Sequence, residues 1–463
     1  MVDFHFYYYH LEITMKSAAV VLYRLDLRIK DHPALYEAAH SGLPIIPLYI
    51  WDTEASWHSK EGSYSSWWLS QSLRTLADKL KEKGLDLVIK VGSAAEVLEN
   101  LHRQHPFSDI YYNRVYHPGE DALVRHWCEN HGVEGHAFNG SLLVEPGSIT
   151  TKSGGYFKVF TPFWKTALKD LDVPGLLPIP KKIESYSKKI ATDKIPVSEH
   201  DGLSRYWKPG YEGGKKQLDI FLKDRLEGYA EARDIPSVDG TSLISPHLHF
   251  GEISIYEIYH QLMQYPQQDY EKYLSELGWR EFSYNLLYHF AKLPSEPFDM
   301  RFKKFPWKRK AAYLEAWQNG ETGYPIVDAG MRQLNETGWM HNRVRMIVAS
   351  FLTKHLLLPW QDGAEWFLQK LVDADLANNS ASWQWTAGCG ADAAPYYRIF
   401  NPILQGEKFD LKGDYVRRWV PEVREVPDKY IHKPWEIDPD SFRPIVDHQE
   451  ARSRALEAFE SLK

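Results

Sequence analysis

The chain has 463 residues, 43% of them hydrophobic and 25% charged, with a formal net charge of −7. Those values fit a soluble globular protein of two or three domains and exclude one that coats nucleic acid through bulk positive charge. No run approaches the ~20 consecutive apolar residues of a membrane span, nothing near the start reads as a cleaved leader, and the two cysteines, Cys128 and Cys389, are too few for a disulfide framework or an all-cysteine metal site, which fits a reducing cytosol.

The first fourteen residues, MVDFHFYYYHLEIT, are strongly aromatic yet precede the first core-like strand, so residues 1–14 read as an extension and Met15 as the start. From Ala18 to about Val144, AAVVLYRL, PIIPLYIW, LDLVIKV and DIYYN read as buried strands, and SSWWLSQSLRTLADKLKEKG has the 3.6-residue apolar period of a helix. Such alternation predicts a parallel sheet covered by helices over 15–144. No G-x-G-x-x-G follows the first strand, so this sheet is a poor candidate for a nucleotide site. Residues 145–216 are rich in Pro, Gly, Lys and Ser and read as a connector laid over the surface. Over 217–463 nearly everything is helical in period, as in QLDIFLKDRLEGYAEARD, SIYEIYHQLMQY, DYEKYLSELGWREFSYNLLYHF and MRQLNETGWMHNRVRMIVASFLTKHLL, which predicts a large all-α domain.

There is no G-x-S-x-G, H-E-x-x-H or G-x-x-x-x-G-K-[ST]. His247 and His249 lack a constellation of further ligands, so no metal site is read from them. In DGTSLISP, 239–246, the hydroxyls of Thr241, Ser242 and Ser245 precede a helix; they suit either a phosphate or an ordinary N-cap. On a helix, Glu276, Trp279 and Arg280 share one face. They could grip a flat polar ring, or be a surface ion pair beside a core tryptophan. His341, Asn342, Arg343, Arg345 and Met346, then Asp373, Asp375, Asn379, Trp383 and Trp385, then Arg398, put charges and amides into an apolar domain. Buried charges need partners, and an Asp373–Arg345 pair is expected.

From YRLDLR at 23–28 to PIVDHQEAR near the C-terminus, these motifs resemble, in order and spacing, the photolyase/cryptochrome family, most closely its bacterial photolyases for cyclobutane pyrimidine dimers. The stretch 339–402 carries the resemblance most strongly. The family likeness implies an antenna-binding α/β domain (15–144), a connector (145–216) and an all-α FAD-binding domain (217–463). It implies that Tyr229, Thr241, Ser242, Leu243, Ile244 and Ser245 line the FAD phosphates and ribityl chain. Arg280, Asn342, Arg345, Asp373, Ala374, Asp375 and Asn379 would surround the flavin and adenine, with Asn379 at flavin N5, where an amide can donate or accept.

By the same resemblance, Glu276 hydrogen-bonds the damaged bases. Trp279 and Trp385 form an aromatic wedge with Asn342 and Met346 beside it, and Arg233, Arg280, Ser283, Arg343, Arg398 and Gln405 join Glu276, Trp279 and Asn342 in contacting DNA. Damaged DNA is the implied partner, bound salt-sensitively by a monomer with the dimer flipped out. Trp383, Trp360 and Trp307 match a three-tryptophan electron chain. The implied chemistry is transfer of an electron from light-excited reduced FAD to the dimer, which splits and returns it.

The alternatives are sorted by the same residues. Asn379 favours repair over a cryptochrome photoreceptor. Asn342 and Met346 stand where (6-4) repair would need a histidine pair, and two cysteines rule against the iron–sulfur branch. Tyr273 replaces a tryptophan usual near the flavin. Gly119-Glu120 keeps half of an Asn–Glu pair that holds a folate antenna, which leaves methenyltetrahydrofolate, a deazaflavin, another flavin or none.

Overall fold

The structure is a computed structural model that describes residues 17–54, 63–196, 200–394 and 396–462. The extension read over 1–14, and Met15, lie outside the described residues. Five parallel strands, β1 (Ala18–Tyr23), β2 (Ile45–Asp52), β3 (Val88–Gly92), β4 (Phe107–Asn113) and β5 (Glu134–Phe138), form one sheet in the order β3-β2-β1-β4-β5. Helices α1 (Pro33–His40), α2 (Tyr64–Lys81), α3 (Ala94–Gln104) and α4 (Glu120–His131) make the crossovers.

β1 and β2 are buried along their whole length because both faces are covered. Ala19, Val21, Tyr23, Tyr49 and Trp51 point to α1 and α2, where they meet Leu35, Trp67, Trp68 and Leu73. Ala18, Val20, Leu22, Leu48 and Ile50 point the other way, to Leu98, Leu101, Val124 and Trp127 of α3 and α4. The two-residue alternation of each strand thus feeds two cores. β5 was not legible, since EGHAF is short and polar and only half-buried at the sheet edge.

In open sheets of this type, ligands sit where the strand order reverses, here between β1 and β4. The chain's own polar groups fill that crevice. Asn113 Nδ2 donates to Asp26 Oδ2 at 2.8 Å, His32 Nε2 lies 2.9 Å from Asp26, and Arg24 Nη2 donates to Asp121 Oδ1 at 2.8 Å.

The stretch 145–216 is more than a surface strap. It contains the helix Phe160–Lys169, whose Phe160, Phe163, Trp164 and Ala167 are buried with Leu277 and Phe282 in a core of the helical part. Helix Tyr211–Asp224 follows, then Tyr229–Ala232, Ser245–His249, Ile255–Leu262 and the long Gln267–His289. The periodic stretch around 331–357 is two helices. Pro325–Thr337 ends at Gly338, at φ +71°, and Asn342–Ser350 begins three residues past Trp339 after a turn capped by His341. A π-helical turn, Phe351–His355, continues it, and Trp360–Lys370, Leu376–Ala387 and Pro402–Phe409 follow. Among the described residues no helix is long and apolar enough to cross a membrane.

The two parts are locked together at Glu252, which is fully buried. Its carboxylate accepts from Trp68 Nε1 of α2 at 2.9 Å and the Gly210 N–H at 2.7 Å, and it also bonds Ser72 Oγ and His247 Nδ1. Four partners satisfy a carboxylate that burial would otherwise leave costly.

Candidate active site

Helices Gln267–His289, Asn342–Ser350 and Leu376–Ala387 and the loop 241–245 carry most of the expected residues. Helix Leu376–Ala387 starts at Asp375, whose Oδ1 accepts from the Asn378 N–H at 2.8 Å, a standard N-cap bond. Its Oδ2 accepts from Tyr284 Oη at 2.6 Å and lies 3.4 Å from His249 Nδ1. Burial works to raise the Asp375 carboxyl, but the His249 hydrogen bond and charge, Arg280 and the Asn378 N–H together hold it well below the usual carboxylate range. One turn on, Asn379 is buried, with Nδ2 donating to Ala364 O at 3.0 Å.

The expected ion pair is present. Arg345 Nη2 lies 3.0 Å from Asp373 Oδ2, and Arg345 Nε donates to Met340 O at 2.8 Å. The same Asp373 Oδ2 accepts from Ser245 Oγ at 2.6 Å, which ties the loop 241–245 to it. None of that loop's hydroxyls caps the helix Ser245–His249, so the N-cap alternative fails. Ser242 Oγ instead meets Tyr273 Oη at 3.2 Å, Arg225 holds Thr241 O at 3.0 Å, and Ile244 is core. Leu243 sits at φ +54°, a conformation a branched side chain seldom adopts, and strain of this kind gathers at functional loops. Tyr229 packs edge-on to Tyr273 at 5.3 Å, and Ala374 is half-buried between Asp373 and Asp375.

A second group faces outward. Arg233 pairs with Glu276, which also lies 3.1 Å from Lys272 Nζ. The next residue, Asp234, accepts from Arg343 Nη2 at 2.8 Å, and Arg343 Nη1 lies 3.8 Å from Met346 Sδ. Two consecutive residues therefore belt helix Gln267–His289 to helix Asn342–Ser350. Asn342 is exposed at the start of the latter. Arg280, one turn after Glu276 on the same helix, is engaged by other groups. Its Nη1 donates to Ser141 O at 2.8 Å and to Glu281 Oε1 at 3.1 Å. The reason is Glu281, a fully buried carboxyl that burial pushes up to about 7 and that needs the cation beside it. Ser283 Oγ bonds back to Trp279 O at 2.9 Å, within the helix.

The two tryptophans expected to form a wedge are linked through one residue that the sequence did not disclose. Trp385 Nε1 donates to Asp392 O at 3.1 Å, and Asp392 Oδ2 accepts from the Phe160 N–H at 3.3 Å. The Phe160 ring stacks on Trp279 with centroids 3.9 Å apart and planes 10° apart. Asp392 adopts φ +56°, which Asp tolerates better than most residues. The one available signal was an Asp in the motif DAAPYYRIFNP. Arg398 is exposed in the same loop, stacked on Phe400 at 4.9 Å, and Gln405 is half-buried on helix Pro402–Phe409.

Of the tryptophans matched to an electron chain, Trp383 and Trp360 are buried and Trp307 is half-buried. Trp383 meets Phe367 at 5.0 Å and Trp317 at 6.1 Å, both edge-on. A Cβ on Gly363 would lie 2.2 Å from the Trp383 ring, so glycine is what admits the indole.

His341, beside this group, gives a pH-dependent expectation. Its Nδ1 accepts from the Arg343 N–H at 3.2 Å. Burial pushes the imidazole down to about 4; Asp234 opposes this, and Arg343, Arg345 and Arg233 add to it. A free histidine titrates near 6.5, so the folded state binds fewer protons than the unfolded one between about pH 6.5 and 4. The stabilisation is complete above that range and is lost as the pH falls through it. His341→Asn keeps a good cap and removes the proton site. Between pH 7 and pH 5 its unfolding free energy in urea is expected to fall less than that of the wild type, by on the order of 1–2 kcal/mol. Parallel losses in both proteins would remove His341 as the cause.

Comparison with known proteins identifies these parts. Residues 19–183 match the family model "DNA photolyase", and residues 273–461 match "FAD binding domain of DNA photolyase". The chain is 43% identical to the deoxyribodipyrimidine photo-lyase of Agrobacterium fabrum, over 97% of this chain and 99% of that one. It is 35% identical to Arabidopsis thaliana cryptochrome-1, over 96% of this chain and 70% of that one. The crystal structure of a class III photolyase from Agrobacterium tumefaciens superposes with a TM-score of 0.91 at 42% identity, covering 98% of this chain and 99% of that one. The donor set described above fits FAD. The hydroxyls of Thr241, Ser242 and Ser245, the Arg345–Asp373 pair and the buried Asn379 amide offer both donors and acceptors to a phosphate-bearing polar ligand. With its parallel α/β domain, its helical FAD-binding domain and photo-lyase relatives matched end to end, the chain belongs to the DNA photolyase/cryptochrome family.

Proposed function

We propose that this chain is a light-driven lyase that splits cyclobutane pyrimidine dimers in DNA, acting as a cytoplasmic monomer. The observation that carries the reading is the outward group. A carboxylate, Glu276, is held by Arg233 in an ion-paired belt that reaches Arg343 and Met346, beside two tryptophans linked through Asp392. Such a group supplies what an extruded base pair needs, namely flat apolar walls, a hydrogen-bond acceptor for base N–H groups, and cations for the flanking phosphates.

FAD, when bound, supplies the light-absorbing one-electron donor. Thr241, Ser242, Ser245, Arg345 and Asp373 would hold its polar chain, and Asn379 its ring edge. Glu276, paired with Arg233 and Lys272, would orient the dimer by accepting hydrogen bonds from base N–H groups. Trp279, backed by Phe160, and Trp385 would exclude water. Arg398 and Gln405, with Arg233 and Arg343, would position the strand.

The direct test is loss of thymine dimers from irradiated DNA under blue light and in the dark. Light-dependent loss is expected; none under either condition would leave the cryptochrome-type photoreceptor reading in its place. Glu276→Ala is expected to lower dimers split per absorbed photon about tenfold, the worth of one charge-assisted hydrogen bond, with FAD content unchanged. An unaltered yield would remove Glu276 from that role.

A further inference from the structure

The segment RFKKFPWKRK, 301–310, has a use that repair does not absorb. Phe302 and Phe305 are buried and anchor it, and Trp307 lies half-buried against Phe305, with ring centroids 4.3 Å apart. Arg301, Lys303, Lys304, Lys308, Arg309 and Lys310 are all exposed around it. Six cations and one acid, Asp299, thus fall within 299–310 of a chain whose net charge is −7. Only part of this charge is neutralised. Arg301 pairs with Asp299 at 2.7 Å, Lys303 pairs with Glu296 at 3.0 Å, and Arg309 feels Asp362. Among the described residues, Lys304, Lys308 and Lys310 have no ion-pair partner; Lys310 lies over the Tyr313 ring at 4.1 Å. The backbone beneath is pinned, with the Lys308 N–H donating to Leu357 O at 2.7 Å. None of these cations takes part in the belt at Glu276.

We propose that this basic collar draws small anionic one-electron donors to Trp307. The inference rests on Trp307 being the outer member of the tryptophan chain, which its exposure supports, since Trp383 and Trp360 are buried. Trp307 loses one electron inward and is left as a cation radical. The anionic donor gives one electron to the indole and departs as its own one-electron-oxidised form; no bond is made between them. Cations at lysine reach from the ring lie inside the ~10 Å Debye length of 0.1 M salt, so they raise the local concentration of an anion and leave a neutral donor unaffected.

The test uses the flavin-loaded, oxidised full-length protein under blue light, with ascorbate as the anionic donor and dithiothreitol as the neutral one at neutral pH. In the combined variant Lys304→Glu, Lys308→Glu and Lys310→Glu, the rate constant for ascorbate is expected to fall about tenfold, the low end of electrostatic steering, and that for dithiothreitol less than about twofold. Raising salt from about 20 to about 500 mM should reproduce this selectivity in the wild type. A readout independent of photoreduction is fluorescence quenching at Trp307, taken as the difference between wild type and Trp307→Phe. Quenching by iodide should weaken in the charge-reversed protein, and quenching by acrylamide should not. Equal photoreduction in Trp307→Phe and wild type would overturn the tryptophan-chain reading and the proposal with it. Slowed photoreduction in Trp307→Phe, with an ascorbate-to-dithiothreitol ratio unmoved by charge reversal, overturns the proposal alone. So does that unmoved ratio together with weakened binding of undamaged DNA, which would mark the collar as a DNA contact.

Discussion

Asp373→Ala protein is expected to elute from a sizing column nearly free of flavin, while wild type keeps it. Asp373 is buried and faces two groups at once, Arg345 at 3.0 Å and Ser245 Oγ at 2.6 Å. Alanine removes both bonds and leaves the Arg345 guanidinium without its carboxylate, a change that costs about 3–5 kcal/mol when the pair is buried. Part of that loss falls on the fold. The rest falls on the loop 241–245, which is attached to the helical domain at Asp373 and holds Leu243 in a strained conformation. If about half the loss reaches the cofactor site, flavin affinity drops by one to two orders of magnitude. The measurement is flavin per chain, with a dissociation constant from fluorescence of reconstituted protein. A variant that folds and binds flavin like wild type would show that the pair only braces the helices.

The second large effect concerns Trp383→Phe. With oxidised flavin bound, its photoreduction under blue light is expected to fall roughly a hundredfold, about 2.7 kcal/mol on the barrier. Repair by chemically pre-reduced protein should stay within about twofold of wild type. Trp383 stands one turn after Asn379 on helix Leu376–Ala387 and is buried; with Asn379 proposed at the flavin ring edge, it is the indole we propose gives the first electron. Phenylalanine keeps an aromatic ring edge-on to Phe367 and Trp317 but is far harder to oxidise. The cavity left by the smaller ring costs stability, so a melting curve must accompany the rates. If photoreduction persists in a folded variant, Trp383 is packing and nothing more. Loss of repair by the pre-reduced variant would mean that the ring also shapes the lesion site.

How far the sequence could be read depended on the range of the interactions. β1 and β2 were legible because their apolar runs are buried on both faces. The Asp373–Arg345 pair was legible because a buried charge demands a partner and few candidates lay nearby. β5 escaped because EGHAF is short and lies at an edge, where burial leaves little signature. The break at Gly338 was hidden inside a continuous helical period; its marker was a single glycine before Trp339. Arg280 was placed on the right helix, but its partners, the buried Glu281 beside it and Ser141 O far away in the chain, were not legible. Asp392 and Phe160 were missed for a related reason. They are 232 positions apart and meet only in the folded chain.

The stack of Phe160 on Trp279 has a bearing on engineering. Phe160 comes from the stretch 145–216 that the sequence reads as a connector, where grafting of parts from relatives is most tempting because it looks inert. A chimera that exchanges residues 145–216 for a segment without an aromatic residue at 160 would remove the backing ring of Trp279, while the backbone N–H at 160 could still reach Asp392 and every residue proposed to contact DNA would remain. A graft through this segment should therefore keep an aromatic ring at 160, so that Trp279 keeps the surface it stacks on.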